Sequence, residues 1–308
     1  HGRADILAAM KRVKGGAMRD ALELALVSLT GEEDPEGARR SLERVIGGGG
    51  DAVTVSTAHY EMARLQSREE DYDGALEHLK DATRLLNGIE GAPESLVEGV
   101  IYLTASNALA TGRDEEAYRL GGAFLERYPE SEMRCDAALI GGVAAQRLRR
   151  WDKSKELFSF ACACSDQEVA SGALLRLGDM LCDAGRWAQG DEAYAGFLER
   201  YHGDERWYRA AFGRGWCAEN SGDAREATAW YGRVVEGHEG ETAARAQSQI
   251  GECLYAMGAY DDAVRAFLKV DLLYAYPEWS GAALYEAGRC FDELGDSEQA
   301  RARFREVI

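Results

Sequence analysis

Residues 251–267 read GECLYAMGAYDDAVRAF. The spacing predicts one short amphipathic helix, a tight turn at Gly258-Ala259-Tyr260, and a second helix whose Ala263 is small enough for the first to lie against it. From Gly251, a small residue follows twelve positions on and a bulky apolar one four beyond that. The same spacing recurs at Gly288, Ala300 and Phe304; at Gly215, Ala227 and Tyr231; at Gly178, Gly190 and Tyr194; and at Gly142, Ser154 and Phe158. Toward the N-terminus it thins to Ala63, Ala75 and Leu79, then to Leu26, Ala38 and Leu42, while Ala105 and Ala117 are followed by Gly121. Successive anchors lie 36 or 37 residues apart, except for 42 between Ala63 and Ala105. A period of this size marks a helical solenoid.

Seven residues after the anchor stands Gly112, Gly185, Gly222, Gly258 or Gly295. Glycine there ends the first helix in a left-handed conformation without Cβ strain. Acidic residues follow at Asp114-Glu115-Glu116, Asp223, Asp261-Asp262 and Ser297-Glu298. In the first turn of a second helix, such carboxylates serve free amides and the positive dipole end.

The resulting fold class is all-α: a superhelical solenoid of about eight antiparallel helix pairs. The pairs are expected near 17–46, 52–86, 93–127, 131–163, 166–200, 204–237, 240–275 and 277–308, behind a leading helix near 4–14. The whole of 1–308 reads as one array, weaker over 1–90 and clearer over 91–308, and as a fragment of a longer protein. Loose joints are expected at 47–51 (GGGGD) and 87–93.

The charge narrows the function. With 54 acidic against 36 basic side chains and a formal charge of -18, the chain repels nucleic acid phosphates, so no nucleic acid partner is expected. No apolar run is long enough to span a bilayer, so direct membrane insertion is not expected. Seven cysteines without the clustered spacing of a small disulfide framework favour a cytoplasmic location.

No catalytic constellation, metal set or cofactor motif emerges, so the chain is read as not an enzyme, with cofactors none. Gly213-x-Gly215-x-x-Ala218 imitates a dinucleotide fingerprint but sits inside a predicted helix instead of after a strand. The glycine run at 47–50 lacks the Lys and Ser/Thr of a phosphate loop. Cys162 and Cys164, two apart on a helix, do not share a face. Cys217, Cys253 and Cys290 hold equivalent places in successive units, too far apart to bridge, and read as small core residues. The five histidines are scattered.

Leu284, Ala287-Gly288, Phe291, Ala300 and Phe304, with Ile250-Gly251, Ala263 and Phe267, resemble the motif of the tetratricopeptide repeat family. The period is two or three residues longer than that family's usual 34. FLERYPES at 124–131, echoed by FLERYHGD at 197–204, resembles longer-period repeats of bacterial envelope proteins, among them outer-membrane assembly lipoproteins and the Tol-Pal coordinator. That likeness makes a periplasmic location the other expectation.

The family resemblance implies that the superhelix is right-handed and that the first helix of each pair lines a groove. Carried over position by position, the groove residues are Tyr60, Arg64, Tyr102, Asp179, Arg209, Phe212, Trp216, Glu219, Arg245, Glu252, Tyr255, Tyr285 and Arg289. Aromatic and arginine anchors of this kind favour a protein or peptide partner. The expected function is a non-catalytic interaction scaffold; alternatives are an envelope-biogenesis adaptor or a regulatory repeat segment of a larger protein. Arg64, Arg209 and Arg245 look too dispersed for the family's carboxylate clamp. The array ends at Ile308 without a polar capping helix, which adds end-to-end self-association to the expectations.

Overall fold

The computed structural model describes residues 3–13, 15–31, 33–274 and 276–307. Among these the chain forms seventeen α-helices and no strand. It divides into two compact units, His1–Ala161 and Cys162–Ile308.

The first unit begins with α1 (Arg3–Met10) and continues in pairs: α2 (Ala17–Thr30) with α3 (Pro35–Gly47), and α4 (Ala52–Arg68) with α5 (Tyr72–Leu86). Next come α6 (Glu94–Ala110) with α7 (Asp114–Arg127), and α8 (Arg134–Arg147) with α9 (Trp151–Cys162). The second unit holds α10 (Gln167–Asp183) with α11 (Trp187–Arg200), and α12 (Trp207–Asn220) with α13 (Ala224–Gly237). It ends with α14 (Glu241–Ala256) and α15 (Tyr260–Leu273), then α16 (Pro277–Glu293) and α17 (Ser297–Glu306). In the second unit each helix packs on the next, and α10, α12, α14 and α16 also touch in succession, forming a continuous layer of first helices.

Five of the pairs close because an aromatic ring of the second helix lies on a bare patch of the first. A Cβ on Gly251 would stand 2.6 Å from the Phe267 ring; on Gly288, 2.5 Å from Phe304; on Gly215, 2.6 Å from Tyr231; on Gly178, 2.5 Å from Tyr194; and on Gly142, 2.7 Å from Phe158. Glycine is therefore required where the ring sits. Phe158, Tyr231 and Phe267 are fully buried, each stabilising its pair by about 1.5–3 kcal/mol. The seam residues Ala227, Ala263 and Ala300 are buried as well, and Ser154 donates its hydroxyl to the Gly142 carbonyl at 2.9 Å. Gly121 takes another solution: a Cβ there would meet the Ala137 oxygen and the Gly141 Cα, both at 2.9 Å, so α7 approaches α8 backbone to backbone.

In every pair but α2–α3, where the Asp34 amide reaches Thr30 instead, the turn repeats to the hydrogen bond. The amide eight residues after the anchor reaches back to the carbonyl five residues before it, as in Arg113 to Ala108, Arg186 to Leu181, Asp223 to Ala218, Ala259 to Leu254 and Asp296 to Phe291. All five anticipated glycines have positive φ. The same bond joins Asp71 to Gln66 and Arg150 to Ala145, where the left-handed residue is Glu70 (φ 63) and Arg149 (φ 56). Only those two non-glycine residues have positive φ among the described residues. Asp71, Asp223 and Asp296 cap the second helices by accepting from the amides three residues on.

Cys135 and Cys164 are disulfide-bonded, which the spacing of the seven cysteines does not announce; a bridge needs spatial proximity, not clustering in sequence.

Candidate functional site

Position along the first helix decides which side chains meet. In the second unit, α10 supplies Asp179, α12 supplies Arg209, Phe212 and Trp216, and α14 supplies Thr242 and Arg245. These residues line one concavity of ≈ 360 Å³, together with Cys182, Asp183, Tyr194 and Gly213. Five of the residues expected from sequence, Asp179, Arg209, Phe212, Trp216 and Arg245, thus line one cavity.

Phe212 forms the floor. It is 9% exposed and packs against Tyr231 with ring centroids 5.1 Å apart. The Arg245 guanidinium lies over its face, 4.6 Å from the centroid, and makes no ion pair among the described residues. That arrangement holds a cation in place through the ring quadrupole while leaving its N–H groups for another acceptor. Trp216 stands half-buried beside it. Arg209 meets Asp179 at 3.3 Å, with both side chains nearly half-exposed.

Asp179 also accepts the Tyr194 hydroxyl at 2.7 Å. Burial raises its carboxyl above the usual range, against the Tyr194 hydrogen bond and the nearby Arg209 charge, which pull it down. Tyr194 needs this acceptor because its ring is buried under Gly178 and Gly213. Tyr231 repeats the arrangement one pair later, donating to Glu219 at 2.7 Å, and Gln249 donates to the same carboxylate at 3.1 Å.

Past Trp216 the layer carries the carboxylates Glu219, Glu252, Glu286 and Glu293. Glu252 is pushed up by burial, with Glu286 and Glu219 adding to the shift and Arg289 opposing it. Arg289 donates to Glu286 at 2.6 Å and lies 4.8 Å over the Tyr255 ring, while the Tyr255 hydroxyl donates to Glu293 at 3.1 Å. Tyr285 is 48% exposed and leans on Phe304.

In the first unit the expected residues stand differently. Tyr60 is half-buried, with its ring against α6 where a Cβ on Gly99 would lie 2.7 Å from its hydroxyl. Arg64 bonds Glu61 at 3.0 Å and sits 5.9 Å from the Tyr60 centroid. Tyr102 is half-buried against Phe124, at 6.3 Å. The Tyr60 ring packs neighbouring pairs together, and the Tyr102 ring packs against the second helix of its own pair.

Larger hollows exist. One of ≈ 870 Å³ is lined by the segment 200–206 and the start of α10, but Asp204 there accepts from Arg206 at 2.6 Å and serves its own loop. Sequence reasoning missed two side-chain pairs. His59 and His78 place their Nδ1 atoms 2.9 Å apart across α4 and α5, and the Cys182 and Cys217 sulfurs lie 3.3 Å apart across α10 and α12. Both depend on the register between helices. For the cysteines a signal was present: the fourth residue past one anchor meets the second past the next.

Comparison with known proteins supports the architecture. The tetratricopeptide repeat family model TPR_6 matches residues 282–308. No curated protein matches by sequence. Among solved structures, the apo form of RapI is similar with a TM-score of 0.66 and 12% identity, over 94% of this chain and 86% of that one. The apo form of the quorum sensor NprR from B. thuringiensis gives 0.59 and 14%, over 99% and 91%. A tetratricopeptide repeat protein from Parabacteroides merdae ATCC 43184 gives 0.56 and 16%, over 87% and 99%. At such identities the likeness is one of fold.

Proposed function

We propose that this tetratricopeptide-repeat-like helical array is a protein-interaction scaffold that holds a peptide or protein segment on the first-helix layer of its second unit. The observation that carries the reading is the convergence of Arg209, Phe212, Trp216 and Arg245 beside Asp179 around one cavity. Aromatic rings and a guanidinium, rigid and partly desolvated, are the side chains that dominate binding energy at protein interfaces.

Charge gives the ligand a direction. A carboxylate of the segment meets the Arg245 guanidinium, an apolar side chain rests on Trp216, and a basic residue follows toward Glu252 and Glu293. No nucleic acid role is proposed, because the -18 charge opposes a polyanion. Among the described residues no helix is long and apolar enough to cross a membrane.

The test is display selection of short random peptides on the purified chain, repeated with Trp216→Ala and Tyr255→Ala. Enrichment of sequences joining an acidic, an apolar and a basic residue, lost in both variants, supports the proposal. Enrichment of the same sequences by wild type and variants alike places the site elsewhere.

A further inference from the structure

We propose that Cys182 and Cys217 form a reversible dithiol/disulfide site that reacts with low-molecular-weight disulfides of the glutathione class through the cavity between α10 and α12. Their sulfurs lie 3.3 Å apart, and a disulfide needs about 2.0 Å, a closure within reach of small side-chain rotations. Both helices belong to one compact unit and pack directly on each other.

The repeat shows that the pair is particular to this place. The position of Cys217 is also cysteine in the next two pairs, Cys253 and Cys290, but the position of Cys182 becomes Glu219 and Tyr255. Only between α10 and α12 does sulfur therefore face sulfur at these matched positions. The seam changes with it: where other pairs carry Ala227, Ala263 or Ala300, this one carries Gly190, and a Cβ there would stand 3.0 Å from the Cys182 sulfur and 3.2 Å from that of Cys217. The glycine leaves room for both sulfurs.

Access separates the two roles. Cys182 is 8% exposed and lines the ≈ 360 Å³ cavity, whereas Cys217 is 1% exposed behind it. The Cys182 thiol is lowered, chiefly by its hydrogen bond with Cys217 and against its burial, while Cys217 is raised by that same bond and by burial. A lowered, reachable thiol is the attacking one.

The Cys182 thiolate attacks a sulfur of the small disulfide, forming a mixed disulfide and releasing one small thiolate. Cys217 then gives up its proton, and its sulfur attacks that of Cys182, expelling the second small thiolate. Two protein thiols are oxidised to one disulfide, and one small disulfide is reduced to two small thiols. The chemistry uses the cavity only as a way in and stands whether or not the groove holds a peptide.

The experiment incubates the full chain, with its five free thiols reduced and the disulfide-bonded Cys135 and Cys164 left intact, with oxidised glutathione. Free thiols are then alkylated under denaturing conditions, and peptides are mapped without reduction. The expected result is a linked peptide joining Cys182 to Cys217, two hydrogens lighter than its parts, with Cys253 and Cys290 recovered alkylated. In Cys217→Ala, or Cys217→Ser should alanine impair folding, the link is absent and glutathione stays on Cys182. Recovery of wild-type Cys182 and Cys217 both alkylated, or of glutathione retained on wild-type Cys182, overturns the proposal.

Discussion

Replacing Glu70 and Arg149 with glycine is expected to stabilise the protein, although neither change adds a contact. Each residue holds a left-handed backbone, φ 63 and φ 56, at the turn position that five other pairs give to glycine. For a residue with a Cβ that conformation costs about 1–2 kcal/mol. Glycine removes the cost but loosens the unfolded chain, returning about 0.4–1 kcal/mol of it. The net is a gain of about 0.5–1 kcal/mol per site, or about 1–2 kcal/mol for the double variant, since the sites lie in separate pairs. With a urea slope of about 3 kcal/mol per molar, the midpoint rises by roughly 0.3–0.7 M, read by far-ultraviolet circular dichroism at unchanged slope. Two glycine-to-alanine changes serve as the mirror. Gly258→Ala, at φ 74, lowers the midpoint. Gly232→Ala, within helix α13 with open space around its Cβ, raises it by the equivalent of about 0.5–1 kcal/mol. A double variant no more stable than wild type, or equal effects of the two alanine changes, would refute the reasoning.

Three further outcomes follow from the packing and the charges. Ala263→Leu overfills a fully buried seam, and the denaturation midpoint falls by the equivalent of about 1–3 kcal/mol. Gly251→Ala drives a Cβ to 2.6 Å from the Phe267 ring and costs a similar amount, part of which Phe267→Leu restores when the two are combined and melted together. His59 and His78 are both held below the ordinary histidine range, first by burial, with the His78 charge and then Arg84 lowering His59, Arg39 lowering His78, and Asp81 opposing in each case. The unfolded chain therefore binds more protons between the folded values and about pH 6.5, so this contribution is complete above that pH and lost as the pH falls. Urea midpoints at about pH 7 and about pH 5 should differ less in His78→Gln than in wild type.

The helix pairs were legible because the constraint that forms them is local. An anchor glycine and an aromatic sixteen residues later belong to one hairpin, so Gly251 and Phe267 reveal their contact in sequence spacing alone. The turn was legible only where its chemistry took the permissive residue. At Glu70 and Arg149 the backbone follows the repeat while the side chain does not announce it. The site was legible in part for the same reason. Register along the first helices pointed to Asp179, Arg209, Phe212, Trp216 and Arg245, and they line one cavity. Register does not say how far a ring sinks between neighbours, and Tyr60 and Tyr102 are half-buried against adjoining helices. The His59–His78 and Cys182–Cys217 pairs join residues 19 and 35 apart in sequence on different helices, at positions no single-helix pattern joins.

The most direct test of the groove is the affinity of a display-selected peptide for wild type, Arg245→Glu and Arg233→Glu. Arg245 sits over Phe212 in the cavity, whereas Arg233 lies 4.2 Å over Trp230 on a second helix and serves as the control cation. Arg245→Glu is predicted to weaken binding by about 30-fold or more, the mark of a residue worth about 2 kcal/mol, with Arg233→Glu within about threefold of wild type. Equal losses in the two variants, or the larger loss in Arg233→Glu, would contradict the assignment of the ligand to the first-helix layer.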